Sequence, residues 1–492
     1  MSRYEPVELA GRRALVVGLG RHGGGIGVTR YLVGRGARVT VTDVAEEAHL
    51  ARSVERLADL DDVSFVLGTH EGIDVAAFDL VVRNAAIRDD HPLLVAARVT
   101  GRTIHSEATL LVRDFPGTVV AVTGSKGKTS TCYFLAHLLG GENAGVRLVG
   151  NMGGSALEGI DRCDPTSTAV WEASSFQVEA LAEAALSVPV AVLTGLHPDH
   201  LDRYGNVATY YASKAPLFDL QRDDDWRVMP APEDLPVSFA EGARGRRVCV
   251  GRDDPSAEFA VWVEDAEVLV RVRDGAVLSL AAIPQLGVDV SHGVGNAITA
   301  TGVALALGHR PEVLRARLAT LPPVPHRMEL VPSVDGRRWI NDTAATNPTA
   351  AGAGIGEVAA GGDTTVICGG ASKGLDPAPL IDALVRTRPH IVLLAGAETD
   401  RIAAELSVAA IAVVGTAGSM DEAVELAAGA GDRTVLLSPG CSSFGMFTDE
   451  FDRGARFIAA VVRRDGRVVD DDLLARFADP RHQPLAELLS WE

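Results

Sequence analysis

Eight consecutive residues, Thr123-Gly124-Ser125-Lys126-Gly127-Lys128-Thr129-Ser130, carry the strongest chemical signal in the chain. They follow an apolar run, Thr118–Val122, that reads as a buried strand, and they precede a helical pattern. A glycine-rich turn between strand and helix aims backbone N–H groups and the positive end of the helix dipole at one spot, which suits a polyphosphate. Gly124, Ser125, Lys126, Gly127 and Ser130 would form that cradle. Lys128 would reach the β- and γ-phosphate oxygens, and Thr129 would offer its hydroxyl to Mg²⁺. Val122 stands where the usual loop has its first glycine, yet Gly-Lys-Thr directly after a buried strand still predicts a nucleoside triphosphate site.

Mg²⁺ prefers hard oxygen ligands and few protein contacts. Glu172, at the end of the apolar run Ala169–Trp171, is a suitable partner for the Thr129 hydroxyl. The plainer reading of Glu172 is an exposed residue closing a strand. Downstream, His197-Pro198-Asp199-His200-Leu201-Asp202-Arg203-Tyr204 is dense in groups for a second metal ion or a phosphate, and it ends another buried run, Val188–Leu193. Only four of the 46 basic residues are lysine: Lys126, Lys128, Lys214 and Lys373. Where arginine is the default cation, a lysine suits a site that needs a compact charge or an amine able to lose its proton. Four scattered survivors could equally mean nothing, but each falls in a segment selected on other grounds.

Near the N-terminus, Gly18-x-Gly20-x-x-Gly23 follows Ala14–Val17, and Asp43 ends the next strand pattern, Arg38–Asp43. That spacing fits a dinucleotide fingerprint, and alone it suggests an NAD-dependent dehydrogenase. The same turn also serves other nucleotides, or simply reverses the chain. At this level all three readings stand.

These residues must be positioned by alternating strands and helices. Val63–Leu67 and Leu80–Val82 continue the first block, which predicts a parallel sheet with right-handed crossovers. A second block runs from Thr118 and changes, between Arg246 and Leu280, to short alternating strands with a hairpin turn at Asp274-Gly275. It closes on a helical stretch from Gly295 to Leu307. Leu321-Pro322-Pro323-Val324-Pro325 is a stiff joint, followed by a third series: Thr365–Cys368, Ile391–Leu394, Ala410–Val414 and Thr434–Leu437. The expected fold is α/β with three domains in series. These are a Rossmann-like N-terminal domain (1–115), a central P-loop ATPase domain (116–324) and a Rossmann-like C-terminal domain (325–492).

Composition sets the outer limits. At 492 residues, 47% apolar and 23% charged, the chain is a multidomain globular protein. A formal charge of −19 argues against general binding to nucleic acid or to anionic membranes. Five scattered cysteines without CxxC spacing read as reduced thiols. No apolar run approaches the roughly 18 residues of a membrane span, and Met1–Arg13 lacks a signal-peptide layout. The expectation is a cytoplasmic protein.

Taken together, the motifs resemble the Mur ligase family, over nearly the whole chain. Thr-Gly-Ser-Lys-Gly-Lys-Thr is similar to that family's phosphate loop. Glu172-Ala173-Ser174-Ser175-Phe176-Gln177 and His197-Pro198-Asp199-His200-Leu201-Asp202-Arg203 resemble two further segments. Beyond the joint, Pro325-His326-Arg327-Met328-Glu329, Trp339-Ile340-Asn341-Asp342-Thr343, Gly369–Gly374 and Leu437–Phe444 look most like the glutamate-adding members. The resemblance implies an ATP-dependent amide ligase of peptidoglycan precursor synthesis, taking UDP-N-acetylmuramoyl-L-alanine and D-glutamate, with L-glutamate or another acceptor as the alternative. It implies that Asn296, Arg327 and Asp342 contact the nucleotide. It further implies one or two Mg²⁺ ions held by Thr129, Glu172, His200 and Lys214, with Lys214 carbamylated to give an extra carboxylate. Lys128, Glu172, His200 and Lys214 would be the catalytic set.

The same resemblance assigns the first block to the UDP moiety, through Gly20, Arg21, His22 and Asp43. Asn151, Ser174 and Gln177 would hold the diphosphate and sugar, and Thr346, Lys373, Ser443 and Phe444 the acceptor amino acid. A monomer is expected. The chain departs from the pattern at Ala344, where a lysine is usual, at Gly445, where an aspartate is common, and at Glu450, where an aromatic is common. All three fall on the acceptor side.

Overall fold

Strand β1, Arg13–Val17, is buried at four of its five positions, the mark of a strand covered on both faces. It lies at the centre of a parallel sheet with β2 (Arg38–Asp43), β3 (Val63–Leu67), β4 (Leu80–Arg83) and β5 (Thr103–Ser106), in the order β3-β2-β1-β4-β5. The order reverses between β1 and β4. Such a switch point opens a crevice beyond the carboxyl ends of the strands, where ligands bind in doubly wound sheets. The structure, a computed structural model, describes residues 3–20, 23–150, 152, 155–198, 201–236, 239, 242–286, 291–372, 374–480 and 484–489.

A second sheet contains β6 (Thr118–Thr123), β7 (Val146–Gly150), β8 (Thr168–Glu172), β9 (Val190–Leu193), β10 (Trp226–Pro230), β11 (Arg246–Val250), β12 (Phe259–Glu264), β13 (Glu267–Arg271) and β14 (Val277–Ala282). Its order is β14-β13-β12-β11-β10-β9-β6-β8-β7, so β6 sits between β8 and β9. All pairs from β7 to β12 are parallel, and β12-β13-β14 is an antiparallel meander. The expected Asp274-Gly275 turn joins β13 to β14, with Gly275 at φ +87°. One apolar cluster runs from β1 and β2 through Leu110 and Leu111 of the helix Glu107–Asp114 to β6 and β8. The first two sheets therefore share a core, and Met1–Pro322 forms one compact unit.

The second unit, Pro323–Glu492, begins inside the proline-rich joint. Its sheet contains β15 (Glu329–Val331), β16 (Arg338–Asn341), β17 (Thr364–Gly369), β18 (His390–Leu394), β19 (Val413–Ala417) and β20 (Thr434–Leu437), in the order β15-β16-β20-β17-β18-β19. Only the β15–β16 pair is antiparallel. The strand expected at Ala410–Val414 starts three residues later. Ala410, at φ +54°, still belongs to the turn that ends the helix Thr399–Val408.

Candidate active site

The turn after β6 is held from both sides. Gly124 has φ +145° and Gly127 φ +83°, conformations that disfavour a side chain. A Cβ on Gly124 would lie 2.2 Å from the Thr194 hydroxyl oxygen, and one on Gly127 would lie 2.4 Å from Oδ1 of Asn296. Asn296, on the helix Ser291–Ala306, also accepts from the Thr131 hydroxyl at 3.4 Å. The Ser125 N–H donates to the Gly195 carbonyl at 2.9 Å. The Ser125 hydroxyl donates to the His197 carbonyl at 2.7 Å and accepts from the His197 N–H at 2.9 Å. The turn is thus fixed against the chain leaving β9. At its end the helix Lys128–Leu139 begins without a side-chain cap, so its first N–H groups face the turn. Lys126 is exposed, and Ser130 lies in the first helical turn.

Lys128 folds over this turn. Its Nζ donates to the Gly124 carbonyl at 2.9 Å and the Ser125 carbonyl at 3.2 Å. An uncapped helix start and an ammonium thus meet at one turn, a pairing whose charge is suited to an anion. Gly127→Ala is expected to weaken nucleoside triphosphate binding at least about tenfold and to lower stability by about 1–3 kcal/mol, from strain and overlap together. A nucleotide titration and a thermal melt check this, and unchanged binding would show that this turn does not hold phosphate.

The Thr129 hydroxyl donates to Glu172 at 2.8 Å, across the register that pairs Val122 with Glu172. Glu172 is only 3% exposed, although it ends a strand. This hydroxyl–carboxylate pair beside the glycine turn offers oxygens of the kind a hard divalent cation takes. Among the described residues no group of three or more His, Cys, Asp or Glu is placed to hold a metal ion. Lys214 is 2% exposed, and its Nζ lies 4.3 Å from the centre of the Tyr210 ring. His200 lies outside the described residues.

At the switch point of the first sheet, Gly18, Gly24, Gly25, Asn84, Glu107 and Gln177 line a narrow crevice. A Cβ on Gly25 would lie 2.2 Å from the Leu19 carbonyl oxygen, so the start of the helix Gly24–Gly34 sits directly against the turn. Asp43 faces the same turn. Its Oδ2 accepts from the Leu19 N–H at 2.9 Å and the Gly20 N–H at 3.0 Å, and its Oδ1 from the Ala45 N–H at 2.9 Å. Ser174 and Gln177 form a capping box on the helix Ser175–Glu183. The Gln177 N–H donates to the Ser174 hydroxyl, and Gln177 Oε1 accepts from the Ser174 N–H at 2.9 Å. Arg21, His22 and Asn151 lie outside the described residues.

In the second unit, Asp342 follows β16. Its Oδ2 accepts from the Ser438 hydroxyl at 2.8 Å. Burial pushes its carboxyl up to about 7, against the Ser438 hydrogen bond and the charge of Arg327. The folded unit therefore holds a proton that the unfolded chain releases near pH 4. Stability from this group is greatest below about pH 4 and falls as the pH rises to about 7. Asp342→Asn is expected to raise the melting temperature at pH 8 and to lose that advantage near pH 4, as read by thermal melts. Arg327 is exposed and lies between His326 (φ +62°) and Met328 (φ +48°), two non-glycine residues in the left-handed region. Local strain of this kind clusters at functional sites. Ser443 is buried, whereas Thr346 is partly and Phe444 half exposed. Lys373 lies outside the described residues.

Sequence reasoning passed over Glu107. Its Oε1 accepts from the Ser155 hydroxyl and from the Ala156 N–H at 2.8 Å, and burial raises its carboxyl above the ordinary value. It thereby ties the crevice to the chain after β7. The only local signal is the box Ser106-x-x-Thr109, which marks a helix start and not a ligand.

Comparison with known proteins gives a consistent answer. Residues 122–304 match the Mur ligase middle domain, and 326–441 match the Mur ligase, glutamate ligase domain. The UDP-N-acetylmuramoylalanine–D-glutamate ligase of Roseiflexus sp. (strain RS-1) is 38% identical over 92% of this chain and 98% of its own length. The enzyme of the same name from Trichlorobacter lovleyi is 34% identical over 93% of this chain and 100% of its own. Among solved structures, the UDP-N-acetylmuramate–alanine ligase of Thermotoga maritima superposes with a TM-score of 0.57 at 20% identity, covering 91% of this chain and 98% of that one. The MurF ligase of the same organism, in complex with ADP, gives 0.54 at 17% identity over 94% and 97%. These two likenesses concern the fold.

Proposed function

The chain belongs to the Mur ligase family, and from that we propose that it adds D-glutamate to UDP-N-acetylmuramoyl-L-alanine, at the expense of ATP, in peptidoglycan precursor synthesis. The observation that carries the reading is the Thr129–Glu172 pair beside Lys128, at the head of a helix that follows a glycine turn.

The substrate carboxylate attacks the γ-phosphorus of ATP, ADP departs, and an acyl phosphate forms. The amine of the acceptor then adds to the acyl carbon and gives up a proton, and the tetrahedral adduct expels phosphate to leave the amide. Phosphoryl transfer of this kind depends on positioning and electrostatics. The turn 123–130 is read as a P-loop. In it, Lys128 exchanges its two carbonyl acceptors for β- and γ-phosphate oxygens and neutralises charge on the transferring group. Mg²⁺, when bound, supplies further neutralisation at those oxygens; Thr129 and Glu172 would hold it, with His200 and Lys214 as the remaining ligands. Carbamylation of Lys214, a buried amine, would give the carboxylate that role requires. Asn296, Arg327 and Asp342 complete the nucleotide contacts.

The glycine turn 18–25 and the crevice beside it are read as the UDP side. The dehydrogenase reading of that turn loses its support, because the rest of the chain provides for phosphoryl transfer. Gly20, Arg21, His22 and Asp43 would bind the uridine side of the substrate, and Asn151, Ser174 and Gln177 would hold its diphosphate and sugar. Thr346, Lys373, Ser443 and Phe444 receive the acceptor. The three-domain division at 1–115, 116–324 and 325–492 belongs to the same reading, as does a cytoplasmic monomer without nucleic-acid or membrane partners. Among the described residues no helix is long and apolar enough to cross a membrane.

The test is phosphate release from ATP with Mg²⁺ and UDP-N-acetylmuramoyl-L-alanine, with D- and L-glutamate added in parallel. Release with the D-isomer is the expected result. Release with L-glutamate alone would make Ala344, Gly445 and Glu450 a specificity switch, and silence with both would overturn the assignment of substrates.

A further inference from the structure

A buried arginine joins two of the loops that carry residues assigned to ligands in the second unit. Arg453, on the helix Glu450–Arg464, is 0% exposed. Its Nε donates to the Thr343 hydroxyl at 2.9 Å and its Nη2 to the Thr343 carbonyl at 2.9 Å. Its Nη1 donates to the Cys441 carbonyl at 3.0 Å. These three acceptors are uncharged. Burial lowers its pKa to about 10, opposed by Glu450, Cys441 and Asp342, so it stays protonated at neutral pH.

A buried cation is a poor device for stability, since an apolar side chain of similar size would fill the space at less cost. What it supplies is geometry: a planar fork holding three acceptors on two separate loops. The neighbouring residues extend the clamp. A Cβ on Gly454 would lie 2.4 Å from Nδ1 of His326 and 2.6 Å from Cγ2 of Thr343, so the helix is seated directly on the 326 and 343 segments. The Thr343 hydroxyl donates onward to the Glu450 carbonyl at 2.9 Å. Asp342 precedes Thr343, and Ser443 lies two residues beyond Cys441.

We propose that Arg453 is a positioning residue for the ligase reaction, fixing the Thr343 and Cys441 loops so that Asp342 on one and Ser443 on the other keep the spacing that nucleotide and acceptor require. This rests on the roles given to those residues under the proposed function.

The experiment compares the full-length wild type with Arg453→Lys and Thr343→Val. Thermal melts report folding, and calorimetric binding of UDP-N-acetylmuramoyl-L-alanine reports the first unit. Phosphate release gives kcat and the KM for ATP and D-glutamate. Arg453→Lys, which retains the charge without the fork, is expected to raise both KM values about tenfold and leave the affinity for the UDP substrate unchanged. Thr343→Val is expected to act in the same direction, and the double variant to be no worse than the more impaired single one. A lower melting temperature with both KM values unchanged would reduce Arg453 to a core residue, and a rise confined to one substrate would break the two-loop clamp. Should Arg453→Lys fail to fold, Thr343→Val decides by the same readouts. A wild type that releases no phosphate counts against the ligase reading; an active wild type with an indifferent Arg453→Lys counts against the clamp alone.

Discussion

Lys128→Ala is expected to lower kcat by about 10³-fold or more, while the protein still folds. The size follows from what the residue does at each stage. Without nucleotide, its ammonium bonds two carbonyls of its own turn, and losing those contacts costs no more than about 2–3 kcal/mol in folding. In the proposed phosphoryl transfer the same charge would face the oxygens on which negative charge accumulates, in a site partly shielded from water, where each such interaction is worth far more than in bulk solvent. The turn keeps its shape, because the Gly195, His197 and Asn296 contacts do not involve Lys128. Circular dichroism and phosphate release separate the two effects. A folded Lys128→Ala protein with more than a tenth of wild-type turnover would remove this lysine from the chemistry.

Glu172→Gln is the second large effect. The amide oxygen can still accept the Thr129 hydroxyl, and the volume is nearly unchanged, so β8 and its neighbours stay in place. Only the charge is lost. If Glu172 helps hold Mg²⁺, kcat falls about 10²-fold and the Mg²⁺ concentration for half-maximal rate rises about tenfold or more. A titration of rate against Mg²⁺ gives both numbers. A lower rate with an unchanged Mg²⁺ dependence would make Glu172 an organiser of Thr129 and leave the cation to other ligands.

The glycine turn at 123–130 was legible in the sequence because its geometry demands particular residues: left-handed backbone at Gly127, near-contact of Gly124 with Thr194, and a helix starting at Lys128. The parallel strands were legible for a similar reason, since both-faces-buried runs such as Ala14–Val17 leave little choice of environment. Other features leave no local trace. The β12–β13 hairpin turns at Asp265 and Ala266, both left-handed at φ +49° and +60°, where the usual glycine or asparagine signal is missing. Trp226–Pro230 carries an arginine and a terminal proline and does not read as an inner strand, yet it pairs on both sides.

The site shows the same division. The Ser174-x-x-Gln177 spacing is a helix-cap signature that function-first reading overlooks, and the structure engages the Ser174 hydroxyl and the Gln177 amide oxygen in that cap. Asp43 is legible as the acidic end of β2, whereas the three backbone N–H groups its carboxylate accepts from emerge only in the fold. Glu107 and Arg453 act on partners 48 and 110 residues away, Ser155 and Thr343, and only the fold brings those together. Local chemistry can thus be read from residue types, whereas the groups that hold it in register become visible only through long-range packing.

The central claim, activation of a carboxylate as an acyl phosphate, is tested most directly by isotope transfer. UDP-N-acetylmuramoyl-L-alanine carrying ¹⁸O in both carboxylate oxygens is turned over with ATP, Mg²⁺ and D-glutamate, and the released phosphate is weighed by mass spectrometry. The account predicts one ¹⁸O in each phosphate, with the other retained in the new amide. Phosphate free of label, formed at the same rate as the amide, would contradict it.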